Sequence, residues 1–152
     1  MRRTASSIWP LSPVCTAGQV YPRYAEHGRE LAILSTAIVA SEEDLISRNE
    51  QIRRTLPLAP YIAVTQGSQG CEVYAEGEQR HFSPPPVQAV NATGAGDTFA
   101  TAFFIRLHQT GDAWEAARFA NLLAARSVTR PDAAGKMAEI ERVMREYASP
   151  PG

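Results

Sequence analysis

The stretch Thr93-Gly94-Ala95-Gly96-Asp97-Thr98-Phe99 holds the residue types and spacing best suited to chemistry. A β-prone run, Val87–Val90, feeds it. A helical pattern leaves it, with Phe99, Phe103 and Leu107 at i, i+4 and i+8. The first N–H groups of a helix lack intrahelical acceptors and point outward. Gly94 and Gly96 let the backbone approach a bound group with no Cβ in the way. Such a turn is an anion hole suited to phosphate. Asp97, at the helix start, can turn its carboxylate into the same space. A carboxylate beside an anion hole suits phosphoryl transfer: it accepts the proton of an attacking hydroxyl while the N–H groups stabilise charge on the transferred group. A second reading of the same spacing is a plain helix start, with Asp97 as its cap and glycines that merely permit a tight turn. The spacing leaves both open. It disfavours two other phosphate loops: no GxxxxGK[ST] occurs, and GxGxxG fails because Phe99 stands at the third glycine, which argues against a dinucleotide enzyme.

The elements that must position this turn alternate in type. Residues 1–25 are broken by Pro10, Pro13, Gly18 and Pro22 and read as an irregular segment. A short helix is expected over 29–35 and a buried strand over Ala37–Ala40. Ser41 followed by Glu42, Glu43 and Asp44 reads as the capped, acidic start of a helix over 42–55, which Pro57 and Pro60 close. Tyr61–Thr65 is a β-rich run stopped by Gly67-Ser68-Gln69-Gly70. Cys71–Tyr74, a Glu76-Gly77 turn and Gln79–Phe82 form an expected hairpin. After the extended Pro84-Pro85-Pro86 connector come the Val87–Val90 strand and the helix over 98–109. Asp112 is placed to cap an alanine-rich helix over 113–128, and a last helix is expected over 137–147. About five strands and four or five helices make an α/β layered domain.

Composition narrows the function. Fifteen Lys and Arg balance sixteen Asp and Glu for a net charge of −1, which gives no electrostatic footprint for nucleic acid or for anionic lipid. No apolar run approaches the roughly 18–20 residues of a membrane span. Cys15 and Cys71 lie far apart with no metal or disulfide spacing, so reduced thiols in a cytoplasmic protein are expected. His27, His81 and His108 are scattered without ligand spacing, and Trp9 and Trp114 read as packing anchors.

The longer string Val90-Asn91-Ala92-Thr93-Gly94-Ala95-Gly96-Asp97-Thr98-Phe99 resembles the C-terminal signature of the PfkB/ribokinase family of carbohydrate kinases, D-T-x-G-A-G-D-x-F. Ile62–Cys71 looks like the family's V-T-x-G-x-x-G strand and turn, and Ser41–Leu45 like its N-E-x-E-L segment. Phe119-Ala120-Asn121 and Ser127–Arg130 look like its last nucleotide-side helix. The resemblance implies a ribokinase-like layered sheet with flanking helices over residues 26–148, the C-terminal half only of such a kinase. It implies ATP-dependent phosphorylation of a small sugar or polyol hydroxyl, with ATP and magnesium, and is compatible with an oligomer.

By the same resemblance Asp97 is the catalytic base and Gly94, Ala95 and Gly96 supply the anion-hole amides. Thr65, Gly67 and Gly70 lie along the nucleotide, and Asn121 sits near the adenine. Glu43 and Asp44 order magnesium and its water. Family members often bind potassium, and the corresponding positions here are Asn91, Thr93 and the loop Asp132–Gly135. The sequence departs from the pattern in three ways. Asn91 replaces the usual Asp, Ser41 and Asp44 replace the usual Asn and Glu, and family chains are about twice as long. The expected missing half would carry the first glycine signature, most sugar contacts and the lid, so a non-catalytic remnant that binds nucleotide weakly, or serves as an interaction module, is the alternative.

Overall fold

The computed structural model describes residues 32–45 and 58–148, and the chain divides into two compact units that meet in sequence at His81 and Phe82. The first unit is built on a sheet of order β1-β2-β3-β4, from Ala37–Ser41, Tyr61–Thr65, Cys71–Ala75 and Glu78–Phe82. β1 and β2 run parallel, in register from Ala37 opposite Tyr61 to Ser41 opposite Thr65. β2 and β3 are antiparallel. Ile38, Ile62, Val64 and Tyr74 form a core with Ala32 and Ala59, against which Leu45 and Leu58 pack. Ile62, Ala63 and Val64 are buried at successive positions, so β2 reads as a continuous apolar run and not as an alternating one.

The β3–β4 hairpin turns through Glu76 and Gly77, both at positive φ (56° and 79°). A two-residue turn with both centres left-handed matches the twist of the strands it joins. β4 itself is almost wholly exposed until Phe82.

The second unit is a run of three helices: α1 Ala95–Thr110, α2 Ala113–Ser127 and α3 Ala133–Ala148. α1 buries Phe99, Phe103 and Leu107, the expected i, i+4, i+8 set, together with Ala102. α2 buries Ala113, Ala116, Ala117 and Ala120. Small side chains let helix axes approach, and α1 packs closely on α2. Gly111 ends α1 at φ 70°, its N–H donating to the Leu107 carbonyl at 2.8 Å, and Asp112 caps α2 at once. Arg106 ties all three helices: it pairs with Glu115 and lies 5.6 Å from the Phe119 ring centre and 5.0 Å from that of Tyr147.

Several expectations are corrected. Val87–Val90 forms no strand. The triple proline before it removes three N–H donors, and Val90 N–H donates to the Val128 carbonyl at 2.8 Å, not to a neighbouring strand. Ser41 does not cap a helix: it remains the last residue of β1, held in register with Thr65, and Glu42–Asp44 form a single 3-10 turn. The remainder of the 42–55 helix lies outside the described residues, as does most of the 29–35 helix; residues 32–34 are helical. α1 begins at Ala95, three residues before its expected start, and α3 begins at Ala133, four before. Among the described residues there are four strands, not five.

Candidate active site

Gly94 is the N-cap of α1 at φ 78°, a left-handed conformation that favours glycine, and no side chain caps the helix. Asp97 is therefore not the cap that the plain reading required. It stands in the first turn with its side chain exposed, and makes no hydrogen bond or ion pair among the described residues. The N–H groups around it divide. Ala95 N–H donates to the Ala92 carbonyl at 3.1 Å and Thr98 N–H to the Gly94 carbonyl at 2.9 Å. Those of Gly94, Gly96 and Asp97 have no acceptor among the described residues. This corrects the expected set: Ala95 is engaged by its own turn, and Asp97's backbone takes its place among the open donors. Three outward N–H groups at the positive end of a 16-residue helix, with one carboxylate beside them, can hold an anionic group and accept a proton.

The loop entering this turn is pinned by the α2–α3 junction. Val90 and Asn91 N–H groups both donate to the Val128 carbonyl, at 2.8 and 3.0 Å. Asn91 uses both ends of its amide: Oδ1 accepts from Thr93 N–H at 2.9 Å and Nδ2 donates to the Pro131 carbonyl at 2.8 Å. Lys136 Nζ donates to the carbonyls of Asn91 at 2.8 Å and Thr93 at 2.6 Å. Asp132 caps α3, Oδ1 accepting from Gly135 N–H at 2.8 Å. The residues assigned to a potassium ion thus do not fit one. Asn91 brings no carboxylate and commits its side-chain oxygen to Thr93, and the carbonyls that would face the ion already face an ammonium. No motif marks Lys136 in the sequence. Its signal was there: it is the only lysine in the chain, all other Lys and Arg positions being Arg.

Asn121 is buried on α2 and donates its Nδ2 to the Phe82 carbonyl at 2.8 Å. A side chain covered to that degree holds the Phe82 carbonyl in place.

In the first unit, the parallel pairing of β1 and β2 brings their carboxyl ends to one edge of the sheet, where the 3-10 turns Glu42–Asp44 and Gly67–Gln69 both begin. Thr65 Oγ1 donates to the Ala40 carbonyl at 3.4 Å, and Gln66 Nε2 to Glu42 Oε1 at 3.3 Å, so the two turns are tied together. Gly67 sits at φ 56°. Gly70, at φ 100° and ψ −127°, occupies backbone space closed to side-chain-bearing residues; Gln66 N–H donates to its carbonyl at 2.7 Å, closing the loop. Glu43 is exposed and Asp44 half-buried on the same turn. No group of three His, Cys, Asp or Glu suited to a metal exists among the described residues. The two carboxylates still fit magnesium in an outer role, since that ion keeps several waters and is held chiefly by phosphates. The described helices include none long and apolar enough to cross a membrane.

The chain is similar in sequence and fold to known proteins. The chain is 41% identical to the ribokinase of Bacillus subtilis over 88 residues, 57% of this chain and 30% of that one. A crystal structure from E. coli in complex with ATP and Mg2+ superposes with a TM-score of 0.66 at 28% identity, covering 82% of this chain and 44% of that one. A fructokinase double mutant from Vibrio cholerae, in a form bound to fructose, ADP and potassium ion, superposes with a TM-score of 0.61 at 25% identity, covering 79% and 46%. The chain therefore spans under half the length of each of these relatives. Its fold is ribokinase-like, and the pfkB family carbohydrate kinase profile matches residues 28–140. The chain belongs to the pfkB family of carbohydrate kinases.

Proposed function

We propose that this chain supplies the phosphoryl-transfer part of an ATP-dependent kinase acting on a hydroxyl of a small sugar or polyol, with residues 26–148 as its kinase portion. One observation carries the reading: the open N–H groups of Gly94, Gly96 and Asp97 and an exposed, uncommitted Asp97 carboxylate share one helix start. Asp97 takes the proton of the acceptor hydroxyl. The acceptor oxygen bonds to the terminal phosphorus of ATP as the bond to the bridging oxygen breaks, and ADP leaves with that electron pair. The three N–H groups stabilise charge that grows on the transferred phosphoryl, where fixed donors act without reorganisation.

In the first unit, Thr65, Gly67 and Gly70 are proposed to lie along the nucleotide, because the turn they close exposes Gly67, where nothing stands within 4 Å of a Cβ position. Glu43 and Asp44 are proposed to order water around magnesium, which when bound neutralises phosphate charge. A cytoplasmic location follows from dependence on ATP and accords with the buried Cys71 thiol.

The test is ADP release with ribose, fructose and inositol as acceptors, comparing the chain with Asp97→Asn. Turnover should fall by about 10²–10⁴-fold in the variant, while nucleotide affinity stays within a few-fold. Undiminished turnover would remove Asp97 from the chemistry. A second reading, a nucleotide-binding module without turnover, is favoured by Asn91, a neutral amide where the family pattern has Asp. Nucleotide binding with no ADP release from any acceptor would select it.

A further inference from the structure

The contact of Lys136 with the signature loop has a chemistry of its own. The carbonyls of Asn91 and Thr93, two residues apart, converge on a single Nζ at 2.8 and 2.6 Å. Two carbonyl oxygens aimed at one point repel each other unless a cation lies between them. Lys136 is the fourth residue of α3, at the helix end whose dipole disfavours positive charge. The helix therefore does not account for a cation at this position, whereas the two carbonyls do. Residue type points the same way. Arg occupies every other Lys or Arg position, yet a planar guanidinium is a poor match for two oxygens that converge on a point, and a compact ammonium is a good one. Asn91 completes the exchange: where the family pattern has a carboxylate to balance an ion, this chain has a neutral amide that donates to the Pro131 carbonyl.

We propose that the ammonium of Lys136 is a tethered replacement for the monovalent cation of this loop, so that the protein orders its anion hole without potassium. The consequence for the anion hole follows from peptide geometry. The Thr93 carbonyl and the Gly94 N–H belong to one planar trans peptide and point in opposite directions. Holding that carbonyl on Lys136 turns the Gly94 N–H to the side opposite the lysine, where it has no acceptor. Lys136 is thus a positioning residue. Its purpose rests on the kinase reading above; its independence of potassium does not.

The experiment is thermal unfolding of the 152-residue chain without nucleotide, in KCl, NH4Cl, NaCl and choline chloride at equal ionic strength. The wild-type midpoint should agree within about 1 °C across the four salts, since a cation that binds only the folded state would raise it. Lys136→Ala should unfold roughly 4–8 °C lower in choline chloride, and potassium or ammonium should restore at least half of that loss. Lys136→Met, which keeps the apolar stem, serves if the alanine variant does not fold. A lysine that merely braced the helix would not be replaced by a free ion. A potassium-specific rise in the wild-type midpoint would overturn the proposal, and so would a variant that potassium and ammonium raise no more than choline does. Magnesium–ADP affinity in the same salts separates the two readings. Thermal rescue with no change in affinity would count against the kinase reading and leave the tethered cation standing.

Discussion

Asn121 on α2 donates its side-chain amide to the Phe82 carbonyl across 2.8 Å, and only 4% of Asn121 is exposed. The Phe82 ring lies 6.1 Å from that of Trp114 on the same helix and 5.9 Å from the Arg118 guanidinium. One buried amide and two ring contacts thus seat Phe82, the first residue of the second unit, on α2. Asn121→Ala removes the donor and leaves a carbonyl unsatisfied, which costs about 1–3 kcal/mol. Urea unfolding should show that loss, while nucleotide affinity of the folded variant changes by less than about threefold, because the destabilisation and not a lost base contact carries the effect. A large loss of affinity with unchanged stability would return Asn121 to the nucleotide.

Gly96 separates a structural from a functional use of glycine. Its φ is ordinary, and a Cβ built on it meets nothing within 4 Å. Gly96→Ala should therefore leave stability unchanged or raise it by about 0.4–1 kcal/mol. A methyl group there would stand next to the open N–H groups, so affinity for magnesium–ADP should fall by about tenfold or more, equivalent to about 1.4 kcal/mol. Gly94→Ala is different: φ 78° strains any side-chain-bearing residue, and both stability and affinity should fall. Calorimetric titration beside thermal melts would read the two effects apart, and equal affinities for Gly96→Ala and wild type would place the phosphate elsewhere.

What the sequence made legible was local. The strand at Tyr61–Thr65, the Phe99–Phe103–Leu107 face and the Asp112 cap depend on residues a few positions apart, and each stands where its pattern put it. What it hid was settled by distant partners. Val87–Val90 has β-prone residues but no strand beside it, and Val90 ends up 61% exposed. Ser41 has the side chain of a cap, yet pairing with Thr65, 24 positions away, keeps it in β1. In the site, the anion-hole turn was readable from its glycines. The engagement of Ala95 N–H by Ala92 was not, because the helix started earlier than its apolar pattern. Lys136 reaches a loop more than 40 residues away, and no periodicity marks such a contact.

The α1–α2 corner rests on Asp112. Its Oδ1 accepts from Trp114 N–H at 2.8 Å and Glu115 N–H at 3.0 Å, two of the donors a helix start leaves open. Asp112→Ala should cost about 1 kcal/mol, lowering the thermal midpoint by about 2–4 °C. Asp112→Asn keeps the accepting oxygen and should lose only a fraction of that. Equal losses in the two variants would mean that charge at the helix end, and not the cap, supplies the stability.

Glu139 gives the second unit a defined acid response. It is 5% exposed, and its carboxylate accepts from both Arg142 and Arg130, the latter at 2.9 Å. The hydrogen bond from Arg142, then that from Arg130, lowers its pKa from 4.5 to about 2, against the opposing effect of burial. A carboxyl group with a depressed folded-state pKa contributes its full stability above the unfolded value and loses it as protons bind the folded form. Here the contribution is complete above pH 4.5 and disappears as the pH falls towards 2. The two arginines are about half exposed, so solvent screening reduces the effect to about 1–2 kcal/mol. Glu139→Gln should be less stable than wild type by that amount at pH 7. The gap should narrow through pH 4 and shrink to a minor part of its pH 7 value at pH 2.5, closing fully only when the pH falls through about 2 and the folded carboxylate too is protonated. Urea titrations of both proteins at these three pH values measure it, and a gap that stayed constant would assign the stability to packing and hydrogen-bond shape instead of charge.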